Sequence, residues 1–200
     1  MIIPTPRLER LPYNLHGLNY FQQIIYRWRF PPRYRLYGEY VITLDEDPEF
    51  GDGLELVHPD GFVIDGASVP RPCWPIIEPT GTLLEGSVPH DQWYQYGYML
   101  ARRKPGLIFN IASERLVKQF PYLFGDLVPV FIGRGQKFGD QLLRHITIEK
   151  HGATVDAGRA YRALRLFGWR SWNRYRRLGP TAYNDNSLGL PGVTERGVAF

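Results

Sequence analysis

The stretch Leu54-Glu55-Leu56-Val57-His58-Pro59-Asp60-Gly61-Phe62-Val63-Ile64 decides how the first half of this chain folds. Apolar, strand-favouring residues flank His58-Pro59-Asp60-Gly61, a strong turn signal. The pattern predicts two short antiparallel strands, 54–57 and 61–64. Upstream, residues 34–44 are rich in Tyr, Val, Ile and Thr and predict another strand, joined to the pair by a turn-rich loop from Asp45 to Gly53. Together these make a small antiparallel β-meander.

Downstream the signals change. Residues 65–79 are dense in Pro and Gly and predict an irregular loop. A first core helix is expected from Ser87 or Val88 to about Arg103, with Pro89 in its first turn and Asp91 near the positive end of its dipole. A second is expected over 108–120, stopped by Pro121. The apolar run Leu127 to Ile132 falls in a loop over 125–139. A third helix, 139–150, places Leu142, Leu143 and Ile146 at core spacing and ends at Gly152. Asp156 caps a fourth over 157–167, with Ala160, Leu164 and Phe167 on one face. The expected fold class is therefore α+β: a small meander packed with three or four helices, as one core domain over 34–178.

Two extensions flank this core. Residues 1–33 carry Pro4, Pro6, Pro12, Pro31 and Pro32 and read as an N-terminal arm with a short helix over 19–28. Residues 179–200 hold Gly, Pro and Asn with few core positions. They read as an extended C-terminal tail, ordered only by lying on something such as a neighbouring subunit.

The chain has 200 residues, 44% hydrophobic and 22% charged, ordinary values for a globular protein. With Cys73 as its one cysteine it forms no internal disulfide, which suits synthesis in a reducing cytoplasm. No apolar run is long enough for a transmembrane helix, and Met1 to Pro6 does not open a secretion signal. The net charge is +4, and 20 of the 24 basic residues are Arg. Many sit among aromatics near the two ends: Arg27, Arg29, Arg33 and Arg35 in one stretch, then Arg159, Arg162, Arg165, Arg170, Arg174, Arg176 and Arg177 in the other. Arg with aromatics is the composition of protein interfaces. No recognised nucleic-acid motif accompanies the charge, so nucleic acid is not the expected partner.

Three segments carry a family resemblance. The first is Gly61-Phe62-Val63-Ile64-Asp65-Gly66-Ala67-Ser68-Val69-Pro70-Arg71, followed by Trp74. The second is His90-Asp91-Gln92-Trp93-Tyr94. The third opens at Gly139-Asp140 and closes with Tyr161-Arg162-Ala163-Leu164-Arg165-Leu166-Phe167-Gly168. They resemble a phage- and prophage-associated domain family of unknown function, with Ile64 and Gly139 in place of the usual Thr and Ala. Against that pattern, 104–137 is an insertion. The resemblance implies a virion component, in the tail or neck, made in the host cytoplasm and assembled with other phage structural proteins as part of an oligomeric assembly.

The His-Asp-x-x-Tyr helix and the Asp that opens a later helix are also similar to the helix pair of phospholipase A2. That resemblance implies His90 as the base that activates water, Asp140 as its orienter, Tyr94 beside them, and Asp91 with Asp65 as ligands of calcium. It implies an envelope-degrading hydrolase as the alternative function. His90 and Asp91 are neighbours on a helix, about 100° apart, so they are not expected to serve one another. The same residues also suit a buried polar network that ties loop to helices. His145 and His151 lack metal-binding spacing. Ser68 is not in a nucleophile-elbow sequence.

Overall fold

The computed structural model describes residues 1–29, 32–45, 53–65, 81–103, 111–183 and 186–199. The fold is α+β. Cys73, Trp74 and the motif residues from Gly66 to Arg71 lie outside the described residues.

The meander is split between two sheets. Gly38, at φ 80°, breaks the expected strand over 34–44 into β2 (Tyr34–Leu36) and β3 (Tyr40–Thr43). A side chain is strained at that dihedral, so the turn falls there. β2 lies between β1 (Leu8–Arg10) and β5 (Val63–Ile64) in one antiparallel sheet. β3 pairs with β4 (Glu55–His58), placing Tyr40 opposite His58, in a second antiparallel sheet that continues through β6 (Met99–Arg102) to β7 (Leu127–Val130). The turn at 59–61 thus hands the chain from one sheet to the other.

Three expectations change here. The first core helix, α2 (Leu84–Tyr96), begins a turn early and ends seven residues before Arg103. Gly97 stops it in the left-handed conformation, at φ 80°, with its N–H bonded to Trp93 O. Residues 99–102, expected to be helical, form β6 because β4 and β7 offer it partners on both sides. The apolar run at 127–130 is strand β7 for the same reason. Within α2, Pro89 now stands in the interior, where it removes one helical hydrogen bond.

α3 (Ile111–Gln119) and α4 (Pro121–Phe124) come after β6. α5 (Gln136–His151) ends at Gly152, as expected. α6 (Thr154–Ala163) runs through a π turn, Leu164–Gly168, into α7 (Trp169–Leu178). Asp156 lies inside the first turn of α6 rather than capping it. The π turn inserts an extra residue and rotates α7 relative to α6. Leu164 and Ala160 therefore stay buried as expected, whereas Phe167 is turned out, 48% exposed.

Neither extension is detached from the core. Ile2 bridges Thr43, Ile3 is buried, Lys150 Nζ donates to Ile3 O (2.7 Å), and β1 completes a sheet. The tail folds back on its own chain rather than requiring a neighbour. It forms a hairpin of β8 (Gly192–Thr194) and β9 (Gly197–Ala199), buries Leu190, and accepts Tyr98 OH at Pro191 O (2.6 Å). Few core positions suffice because Tyr98 OH and the Arg176 guanidinium of the last core helix bond its backbone at Pro191 O and Val193 O. Helix α1 (Tyr20–Arg29) exposes Tyr20, Phe21, Ile24 and Ile25. It is opened by a reciprocal cap, Gln22 N to Asn19 Oδ1 (2.9 Å) and Asn19 N to Gln22 Oε1 (3.0 Å).

α2 is buried on every side and packs lengthwise on α5. Two glycines permit that approach. A Cβ on Gly86 would lie 2.9 Å from Leu143 O, and one on Gly139 only 2.4 Å from the buried Trp93 ring. The Trp93 ring thus leaves room for no side chain at position 139. Gly139→Ala is expected to lower stability by about 1–3 kcal/mol through overpacking. Urea unfolding checks this, and an unchanged midpoint would contradict it.

Candidate functional site

The α2–α5 contact brings three expected site residues together. His90 and Tyr94 are one helical turn apart, so they share a face of α2. Their rings lie 4.2 Å apart and both reach Asp140. His90 Nε2 is 3.2 Å from Asp140 Oδ1, and Tyr94 OH donates to the same oxygen at 2.8 Å. The other oxygen, Oδ2, accepts Arg165 NH1 at 2.8 Å and Gln136 Nε2 at 3.3 Å. Gln136 Nε2 also lies 2.8 Å from Tyr94 OH and 3.2 Å from Leu164 O. His90, Asp140 and Gln136 are buried, and Arg165 enters from the surface.

Asp91 is found elsewhere than the helical wheel suggests. Its Oδ1 is 3.4 Å from His90 Nδ1, and its Oδ2 accepts the backbone N–H of Asp65 at 3.1 Å. The expectation that His90 and Asp91 do not interact is corrected. Their Cβ atoms diverge, but burial turns the short carboxylate back toward the long imidazole. Asp65, Asp91, His90, Tyr94 and Asp140 thus form one chain of contacts from β5 across α2 to α5.

This arrangement sets the protonation of His90. Carboxylate oxygens face both ring nitrogens, so the ring donates twice and is imidazolium. Burial alone would depress its pKa, but hydrogen bonds to Asp140 and Asp91, with their charges, override that and raise it to about 9. Burial acts to raise Asp140 too, yet His90, Arg165 and Tyr94 hold it below the usual carboxylate range. Burial pushes the Asp91 carboxyl up, against the pull of His90 and Asp65. That opposes its role as counter-ion to His90. With both carboxylates ionised, two negative charges balance His90 and Arg165, so we hold that state to be the one at neutral pH.

A calcium site at Asp91 and Asp65 does not fit this geometry. Both Asp91 oxygens already accept N–H donors, which a cation would have to displace. Among the described residues, no group of three or more His, Cys, Asp or Glu converges as a metal site would.

A second buried histidine lies on another face of α2. Gln92 Oε1 accepts from His58 Nδ1, while His58 Nε2, Gln92 Nε2 and Tyr40 OH are buried without a partner among the described residues. Burial lowers the His58 pKa to about 4, against the opposing hydrogen bond with Gln92. His58 and His90 should therefore bracket the stability of the fold. Folding favours neutral His58, so its contribution is lost as pH falls from about 6.5 toward 4. Folding favours charged His90, so its contribution is complete below about pH 6.5 and lost as pH rises through about 9. Each effect is on the order of 3 kcal/mol at full extent. Urea unfolding from pH 4 to 9 should show a maximum near neutral pH, with the acid limb flattened by His58→Gln. A level profile would refute both assignments.

Sequence reasoning missed Gln136, Arg165, Gly168, His58 and Arg176. Gln136 had a signal in its four-residue spacing to Asp140. Arg165 and Arg176 belong to the arginine-rich run whose composition suggests an interface, yet both turn inward, to Asp140 Oδ2 and Tyr94 O. Gly168 is required because a Cβ there would lie 2.5 Å from Tyr94 OH. Arg176 is buried with no acid beside it among the described residues. Its guanidinium donates to Tyr94 O (2.8 Å), Gln95 O (3.1 Å) and Val193 O, over the Trp172 ring at 4.6 Å. It thereby closes the negative end of α2 and ties the tail to it.

Residues 43–121 match a domain family described as a protein of unknown function, DUF1353. The matched stretch runs from the end of β3 through α3. It contains His90, Asp91 and Tyr94 but not Gln136, Asp140 or Arg165. No curated protein and no solved structure matches the chain. Among the described residues, no helix is long and apolar enough to cross a membrane.

Proposed function

We propose that the chain is a structural component of a phage particle, docking on other subunits through surfaces presented by its terminal segments. One observation carries the non-catalytic half of this reading. His90 is buried, and carboxylates face both of its nitrogens. An imidazolium that donates twice has no lone pair with which to take a proton. The cluster acts as a clamp joining β5, α2, α5 and the π turn. The particle context is supported by the motif residues around Gly61, His90 and Asp140. A docking surface just ahead of the C-terminal segment is supported by exposed Leu166, Phe167 and Trp169 beside the arginines of α7.

The test is mass spectrometry of purified particles from a phage or induced prophage that encodes the chain. The protein should co-purify with the particle at a fixed ratio to other subunits. Its absence from particles would reject the reading.

One observation favours a hydrolase as the second reading. Asp140 orients His90 through Nε2 and takes Tyr94 on the same oxygen, the relation implied by the phospholipase A2 likeness. This reading needs Asp91 to withdraw from Nδ1. Incubation with phospholipid vesicles and with cell-wall sacculi, each with and without calcium, separates the two. Structural use predicts no product. Product that disappears in His90→Gln would establish the hydrolase.

A further inference from the structure

α1 leaves an apolar stripe uncovered. Tyr20 is 81% exposed, Phe21 70%, Ile24 47% and Ile25 45%. Their spacing puts them on one side of the helix. α1 is steadied by its own preceding loop: Tyr13 meets Tyr26 edge-on at 6.1 Å, and Gln23 Nε2 donates to Leu18 O at 2.9 Å. Charge is concentrated in the same region. Residues 1–38 hold six arginines against one acid, Glu9. The remaining 162 residues hold eighteen basic and nineteen acidic side chains, so the whole positive excess of the chain lies in its first 38 residues.

We infer that α1 docks on an anionic lipid surface, laying Tyr20, Phe21, Ile24 and Ile25 into the headgroup boundary while the net positive charge of residues 1–38 draws the segment to lipid phosphates. The surface is a single convex helix, and a bilayer accepts such a shape without a matching groove. Aromatic side chains suit its polar–apolar boundary. A second copy of this chain is disfavoured because the two cationic segments repel. Nucleic acid would satisfy the arginines but leave Ile24 and Ile25 with nothing to stack on. The inference does not rest on the particle reading, since a hydrolase could carry the same surface.

The full-length protein is sedimented with vesicles of phosphatidylcholine alone and of phosphatidylcholine mixed with phosphatidylglycerol. It should pellet with the mixed vesicles, weakly with phosphatidylcholine alone, and less as salt rises. Ile24→Glu/Ile25→Glu should reduce binding about tenfold or more, as loss of two half-buried aliphatic side chains implies. Phe21→Ala should reduce it by several-fold. Both variants alter exposed positions, so circular dichroism and the unfolding midpoint should not change. Equal pelleting with both vesicle types, no pelleting with either, or wild-type binding by Phe21→Ala would overturn the inference. None of these outcomes depends on whether the protein is found in particles.

Discussion

Asp140→Asn should destabilise the protein by about 3–5 kcal/mol, the cost of removing one partner from a buried ionic set. Four groups converge on this carboxylate: His90, Tyr94, Gln136 and Arg165. The amide keeps the shape but removes the charge. It also turns an NH2 toward groups that are themselves donors. His90 and Arg165 are left with Asp91 as the nearest counter-charge. Against a typical total of about 5–15 kcal/mol, this is a large fraction. The check is the urea midpoint at neutral pH, with the slope monitored for a change in the unfolded state. Raising the pH through about 9 should narrow the gap between variant and wild type, because His90 is then neutral in both. A loss under about 1 kcal/mol would mean that the cluster is only loosely coupled.

Arg176→Ala should cost a similar amount, about 3 kcal/mol or more, by a different route. Among the described residues, no acid balances this guanidinium. Burial lowers its pKa to about 10, against Tyr175 and Tyr98. What holds it is carbonyl oxygen: the last turn of α2 on one side and β8 on the other. Truncation strips donors from Tyr94 O, Gln95 O and Val193 O and opens a gap beside Gly97 and Trp172. The tail should loosen before the core does. Hydrogen exchange at 190–199 should rise more than at α5, and proteolysis should cut first near the hairpin. Arg176→Lys should recover only part of the loss, since an ammonium cannot reproduce the planar fork. If the tail stays protected in Arg176→Ala, its docking rests on Leu190 and Tyr98 instead.

These two residues are unequally legible in the sequence. Asp140 is readable there as the partner of His90, because two motif segments each bearing one half of a polar pair point to a shared interface. Arg176 is legible only as one of seven arginines in an aromatic-rich stretch. Nothing in its spacing distinguishes it from Arg174 or Arg177. What selects it is its place over Trp172, opposite the end of a helix eighty residues earlier in the chain.

By itself the sequence determined the α+β class, the helices carrying His90 and Asp140, the break at Gly152 and the short cationic helix near the N-terminus. Each is written in local signals: periodicity, turn residues, caps. Only the tertiary structure decided that residues 99–102 and 127–130 are strands, that the meander divides between two sheets, and that the tail packs on its own chain. It alone placed Asp91 against His90 and turned Arg165 and Arg176 inward. Those outcomes depend on which distant backbone groups and charges become neighbours once α2 is buried on all sides. A helix buried on every side has no solvent face to orient it, so its periodicity does not tell which elements surround it.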